Sequence, residues 1–416
     1  MSTPSGLPAR RAALRLLDAV LRRGETLDQA ARAAMGGVPG FADQALARAI
    51  TGEVLRWLVD LDTAIDSATR QPLAPDAKAR MVLRIMLAQW LRLGTPPHAV
   101  VATGLPLLAG GPRRLAHGVF STLSRQKLAL LAAPTLPAEV AARWGERAPA
   151  IAACLAEPPP LDLSLKHRAD TEQWVERLGG HSLAPGQVRV PRGGPVEELA
   201  GYAEGAWWVQ DLAASLPARI IGDAADSGDG RRVLDMCAAP GGKALQLASA
   251  GWQVTALDAS EQRLAILRQN LARTGIIAEI VTADAFAWEP AEPFDAVLLD
   301  APCTATGTCR RHPDVLHRIG PRQITELAEM QSRLLERAAR WVRPGGRLVY
   351  AVCSLESEES EAQAARMPLQ LEPITAGELP AGITPAPEGW LRTDPGMLAE
   401  EGGLDGFFIA RWGMPG

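Results

Sequence analysis

Residues 233–248 read VLDMCAAPGGKALQLA: a short apolar run, then Pro240-Gly241-Gly242, then a helical pattern that starts at Lys243. Glycines at such a turn let backbone approach a ligand closely. The helix N-terminus and Lys243 offer positive potential to a carboxylate. A purely structural strand-turn-helix can also contain two glycines, so the loop alone leaves both readings open. It lacks the G-x-G-x-x-G of dinucleotide binders and the G-K-[ST] of P-loops, which argues against NAD and ATP.

Working outward from this loop, strand-like and helix-like segments alternate. RRVLDMC is followed by the helix from 243, QVTALDA by a helix over 260–274, and then come AEIVTADA, FDAVLLDAP, a helix near 321–342 and GRLVYAVCS. Such alternation predicts an α/β fold with a mostly parallel, doubly wound sheet, which binds ligands at the carboxyl ends of its strands. Asp258 closes the second strand, where a carboxylate can accept both hydroxyls of a ribose. Asp284 closes the third, placed either for an adenine amino group or as a helix cap. The fourth strand presents Asp300 and Cys303, and the fifth presents Cys353. If these two strands are neighbours, both thiols face one crevice.

Before the loop the pattern differs. Over 1–131 apolar residues recur at three- and four-residue spacing, with breaks at Gly36-Gly37, Pro72, Pro96-Pro97 and Gly110-Gly111, which predicts an all-α bundle. A Pro- and Ala-rich connector follows with one helix over 138–155. Residues 161–209 then read as a small α+β subdomain with an exposed pair, Trp207-Trp208. The net charge of −4 is unevenly divided: residues 1–130 carry 17 Lys+Arg against 9 Asp+Glu. Broad attraction to phosphates therefore falls to the helical part, unless those residues are simply solvated helix faces.

No run of eighteen apolar residues occurs, and Arg10, Arg11, Arg15 and Asp18 break up the N-terminus, which predicts a cytoplasmic protein without a membrane span. Five dispersed cysteines argue for reduced thiols rather than a disulfide framework. Cys303, Cys309 and His312 lack zinc-like spacing, so no metal is expected. Two loop cysteines, a carboxylate and a nucleoside-shaped crevice fit methylation at carbon 5 of cytosine, where a thiolate must first add to carbon 6. Asp300 would hydrogen-bond ring nitrogen 3 or the exocyclic amine. Which cysteine attacks is left open by the residues themselves.

Several motifs resemble the NOL/NOP/Sun family of RNA cytosine-5 methyltransferases: WVQDLAA (208–214), DMCAAPGGK (235–243), LDAS with Arg263, TADA, DAPCTATG (300–307), RRHPD (310–314), YAVCSLESEE (350–359) and DGFFIAR (405–411). In the helical part ITGEVLRWLVDLDTAID, MVLRIMLAQWLRLGTPPHAVV and GVFSTLSRQ resemble the NusB-like domain of the family's bacterial 16S rRNA members. The resemblance implies a Rossmann-like methyltransferase domain over 221–416, preceded by a NusB-like RNA-binding domain over 1–131 and a connector with a small RNA-binding subdomain over 132–220. It implies S-adenosyl-L-methionine bound by Cys237, Ala238, Ala239, Pro240, Gly241, Gly242, Lys243, Asp258, Arg263, Asp284 and Asp300. It also implies Cys353 as nucleophile, with Cys303 assisting proton removal and release.

The expected substrate is a cytosine of 16S rRNA, and the expected state is a monomer. Arg310, Arg311 and His312 stand either as RNA contacts or as braces of their loop. Departures from the family pattern are Val352 where Thr is usual, Leu316-His317 in place of Lys-Trp, and Ser164 and Lys166 in the linker's first strand. The same reaction on tRNA or another rRNA site, and a non-catalytic assembly factor on the same fold, are the rival readings. Loss of a cysteine or of the glycine loop would favour the last, and neither is lost.

Overall fold

The computed structural model describes residues 6–224 and 230–416, so the first five residues of the N-terminal stretch discussed above lie outside the described residues. Its strands form two sheets. β1 (Leu161–Leu165), β2 (Gln187–Val190) and β3 (Trp207–Val209) make a small antiparallel sheet in the order β2-β1-β3, covered by the helix Thr171–Leu178. This is the expected α+β subdomain, with one correction. Trp207 and Trp208 are buried, not exposed. The Trp207 indole N–H donates to the Ala200 carbonyl and its ring meets Tyr202 at 5.7 Å, while the Trp208 N–H donates to Gln210 Oε1. Each tryptophan thus has an apolar bed and a partner for its one polar atom.

The larger sheet holds β4 (Arg232–Met236), β5 (Gln253–Asp258), β6 (Glu279–Thr282), β7 (Phe294–Asp300), β8 (Val342–Val352), β9 (Leu391–Thr393) and β10 (Phe407–Gly413), in the order β6-β5-β4-β7-β8-β10-β9. β4 to β8 run parallel, and β10 and β9 pair antiparallel at one edge. Continuous apolar runs such as Val233-Leu234 and Val297-Leu298-Leu299 are buried because helices cover both faces of a parallel sheet. Strand order reverses at β4, which has β5 on one side and β7 on the other, so the glycine loop opens at the switch point of this Rossmann-like fold. The helix expected over 321–342 is Pro321–Arg340; it gives way to β8 at Val342, earlier than the 346 start of the segment read from the sequence.

Contacts divide the chain into two compact units, residues Met1–Glu157 with Cys309–Ile319, and Pro158–Thr308 with Gly320–Gly416. This division falls elsewhere than 131 and 220, and one of its pieces is displaced in sequence. The first unit packs helices around Lys78–Leu91, which is apolar nearly all round and therefore central, against Leu17, Val54, Trp57, Val100 and Phe120. The connector's expected single helix is two, Ala138–Trp144 and Ala148–Leu155, parted at Gly145, whose φ of 55° no continuing helix adopts. Several basic residues of this unit are structural. Arg80 and Arg84 are buried in ion pairs with Asp62 and Asp66, Arg56 pairs with Glu53, and Arg10 donates to Gln89. Part of the local excess of positive charge is thus neither solvated nor offered to phosphate.

The segment Cys309–Ile319 completes this unit. Arg310 is only 1% exposed and its carbonyl accepts from Arg56 Nη2 at 2.5 Å; His317 Nε2–H donates to the Leu55 carbonyl at 2.7 Å; Asp314 pairs with Arg318. For Arg310 the bracing alternative therefore holds. Burial pushes the His317 imidazole below its ordinary value. Among the described residues no helix is long and apolar enough to cross a membrane, and no cluster of His, Cys, Asp or Glu has the form of a metal site.

Candidate active site

The carboxyl ends of β4, β5, β7 and β8 gather nearly all the residues singled out above. β7 and β8 are adjacent, with Asp300 in register with Ala351, and the Ala301 N–H donates to the Ala351 carbonyl at 2.9 Å. This register puts the two cysteine loops side by side. Sγ of Cys303 and Sγ of Cys353 lie 3.5 Å apart, both partly exposed. The Cys303 thiol is held well above its ordinary value, first by its hydrogen bond to Cys353, then by burial and by the negative charges of Cys353 and Glu359. Of the two, Cys303 is thus the thiol held in its protonated form. The other thiols take no part here: Cys309 is buried and pushed up to about 12, and Cys154 lies in the helical unit, raised by burial.

Asp300, with 28% of its side chain exposed, accepts from Lys243 Nζ at 2.7 Å. Lys243 is turned beneath the loop, 9% exposed, with its ammonium 5.1 Å from the centre of the Phe407 ring. Burial alone would push that ammonium down. The charge and hydrogen bond of Asp300, followed by Cys353 and Asp235, reverse this and leave it raised. The lysine charge is thus spent on Asp300 and the thiol side of the crevice, not offered outward from the helix N-terminus.

The glycine loop is laced to β5. The Ala238 N–H donates to the Leu257 carbonyl and the Ala239 N–H to Asp258 Oδ2, while Asp258 Oδ1 accepts from the Ser260 N–H. The Arg263 guanidinium bonds the Ala239 carbonyl and lies 3.9 Å from Asp258. Gly241 sits at φ 109°, where a Cβ would lie 2.2 Å from Leu267 Cδ1, so glycine is required by both conformation and space. Cys237 also adopts a positive φ; burial pushes its thiol up, which removes it as a nucleophile. Asp284 stands two residues beyond the end of β6, exposed, and caps the following turn through the Phe286 N–H. Among the described residues no helix begins at Asp284, so the helix-cap alternative is not realised; the carboxylate closes a local turn instead.

Acceptor carboxylates on adjacent strand ends suit the diol and amine of a nucleoside, and Asp300 supplies negative charge for a cation beside it. This donor and acceptor set fits S-adenosyl-L-methionine. Two buried carboxyl groups went unnoticed in the sequence. Asp235, on β4, has neither oxygen hydrogen-bonded among the described residues, and Glu359 is bonded to both cysteine loops. Asp235 lies inside a quoted motif, and Glu359 is one of several acidic residues in LESEE; nothing in spacing alone separates it from Glu356 or Glu358.

Residues 224–412 match the model of the 16S rRNA methyltransferase RsmB/F family, and residues 7–107 that of the NusB family. Ribosomal RNA small subunit methyltransferase B of Xanthomonas campestris pv. campestris is 35% identical, covering 98% of this chain and 97% of its own. The protein of the same description from Klebsiella pneumoniae subsp. pneumoniae is 34% identical over 89% and 90% of the two chains. The crystal structure of PH0851 superposes over 99% of both chains with a TM-score of 0.73 at 22% identity. The crystal structure of NSun6 from Pyrococcus horikoshii with SFG covers 66% of this chain and 97% of its own, with a TM-score of 0.56 at 20% identity. The two likenesses in structure speak for the fold, and the near-full-length identity decides the lineage: this chain belongs to the ribosomal RNA small subunit methyltransferase B family.

Proposed function

We propose that this chain is an S-adenosyl-L-methionine-dependent methyltransferase acting on carbon 5 of a cytosine in 16S rRNA. The observation that carries this reading is the 3.5 Å approach of Cys303 and Cys353 beside the Asp300–Lys243 pair. Residues 221–416 form the methyltransferase domain in this proposal. Residues 1–131 and the subdomain within 132–220 dock the RNA, and the enzyme works as a cytoplasmic monomer. The target base must be unstacked to reach the two sulfurs.

Cys353, as thiolate, forms a bond from sulfur to carbon 6 of the cytosine, and the carbon 5–carbon 6 electron pair moves onto the ring. Asp300, fixed by Lys243, hydrogen-bonds nitrogen 3 or the exocyclic amine and steadies the charge that develops there. Residues 237–243, Asp258, Arg263, Asp284 and Asp300 would hold S-adenosyl-L-methionine, which would supply the methyl group for carbon 5, its methyl–sulfur bond breaking to leave a neutral thioether. Once Cys353 is a thioether it bears no charge and accepts no proton from Cys303, so the main cause holding the Cys303 proton is gone. Cys303, its own proton released to solvent, can then assist removal of the carbon 5 proton, and the electron pair of that carbon–hydrogen bond re-forms the carbon 5–carbon 6 double bond and expels Cys353 as thiolate.

Labelled cofactor and unmodified 16S rRNA test this directly. Cys353→Ala is expected to abolish transfer. Cys303→Ala is expected to accumulate a protein–RNA adduct that survives denaturant. An adduct trapped by Cys353→Ala instead would reverse the two roles, and a natural chain inert on 16S rRNA would refute the substrate.

A further inference from the structure

We propose that Glu359 is a positioning residue whose carboxylate ties the loop after β7 to the loop after β8 and so sets the separation of Cys303 and Cys353. This inference rests on the function proposed above. Glu359 lies six residues past Cys353, fully buried. Its Oε1 accepts from the Thr304 N–H at 2.9 Å and Gln331 Nε2 at 3.0 Å; its Oε2 accepts from the Thr304 and Ser354 hydroxyls, both at 2.5 Å. A carboxylate has about four acceptor sites, and here each is used. Two of the donors belong to the residue that follows Cys303, and one to the residue that follows Cys353.

The thiols cannot hold the loops themselves, since a sulfur–sulfur hydrogen bond is weak. The surrounding bonds extend the same clamp. Gly307 N–H donates to the Cys353 carbonyl at 3.0 Å, and Leu355 N–H to Thr306 Oγ1 at 3.0 Å. Gln331 Nε2 also donates to the Pro302 carbonyl, and the Tyr350 hydroxyl to the Glu359 carbonyl. No Lys, Arg or His forms an ion pair with Glu359 among the described residues, so hydrogen bonds alone offset its burial. An apolar side chain would fill the space without that cost but would fix neither loop. The same carboxylate also puts negative charge beside Cys303, which supports its holding a proton until Cys353 has reacted.

The test is single-turnover methyl transfer from labelled cofactor to unmodified 16S rRNA by the full chain and by Glu359→Gln. Cofactor affinity is measured by calorimetry, and folding by circular dichroism. The amide sets an NH2 group against two hydroxyl donors. The expected result is kcat lower by about ten- to a hundredfold, as for a misplacement of about 1 Å, with KM for RNA and cofactor within about twofold. A larger share of enzyme should be caught as denaturant-resistant adduct, and the pH profile should move to lower pH as Cys303 loses its negative neighbour. Glu359→Asp, which keeps the charge, should recover part of the rate.

A folded Glu359→Gln that binds cofactor and matches the natural chain in kcat, adduct and pH profile overturns the proposal. If Glu359→Gln does not fold, the double variant Thr304→Ala, Ser354→Ala takes its place, with the same expected and overturning results. A natural chain inert on every RNA would overturn the functional reading and this inference with it, whereas a competent natural chain with indifferent variants overturns this inference alone.

Discussion

Two fully buried carboxyl groups, Asp235 on β4 and Glu359 beyond β8, meet opposite fates within one sheet. Glu359 accepts four hydrogen bonds; Asp235 accepts none among the described residues. Burial raises both. For Glu359 burial is the larger effect and leaves it above the ordinary carboxylate range, with the donors from Ser354, Thr304 and Gln331 pulling the other way. For Asp235 burial is reinforced by Asp300 and Asp258 and opposed only by Lys243, and it is pushed up to about 8. The difference teaches that burial does not decide what an acidic residue is for. Donors let one carboxyl organise two loops, and their lack leaves the other an acid that keeps its proton near neutrality.

Breaking the saturated member should have the largest effect on stability. Glu359→Leu should destabilise the sheet unit by about 3–5 kcal/mol, because four buried donors lose their acceptor at roughly 1 kcal/mol or more each. Urea unfolding checks this, and a loss below about 1 kcal/mol would dissolve the contrast between the two groups.

Asp235→Asn should act in the other direction and with pH. With a value raised from the ordinary 3.8 to about 8, the folded protein keeps a proton that the unfolded chain releases. Stability from this group is greatest below about pH 4 and falls as pH rises toward 8. The asparagine variant lacks that decline, so its stability should gain on the natural chain between pH 5.5 and 8, by on the order of 1–3 kcal/mol. A gap that is constant across this range would show that Asp235 does not titrate there. The smallest effect belongs to Ser354→Ala, which removes one of the four donors and should cost about 1 kcal/mol by the same measurement.

Much of the fold was legible because its signals are local and repeated. Apolar runs bounded by turns marked β4 to β8, and three- and four-residue spacing marked the helical unit. The strand-end positions of Asp258, Asp300, Cys303 and Cys353 followed from that pattern. What escaped depended on long-range partners. Trp207-Trp208 reads as exposed only until the Ala200 carbonyl and Gln210 are known to meet its indole N–H groups in a buried setting. Lys243 reads as a ligand-facing cation at a helix start, and only the placing of β7 beside β4 turns it to Asp300. Glu359 is one acid among three in a short motif, and its meaning comes from Thr304, fifty-five residues earlier in the chain.

The segment Cys309–Ile319 gives this chain an order of assembly. The helical unit begins at the N-terminus, yet Val315, Leu316 and His317 belong to its packing, so it is finished only after most of the sheet's parallel strands have been synthesised. A nascent chain leaving the ribosome therefore carries an incomplete bundle while β4 to β7 emerge, and a fragment cut at residue 157 inherits the same gap permanently.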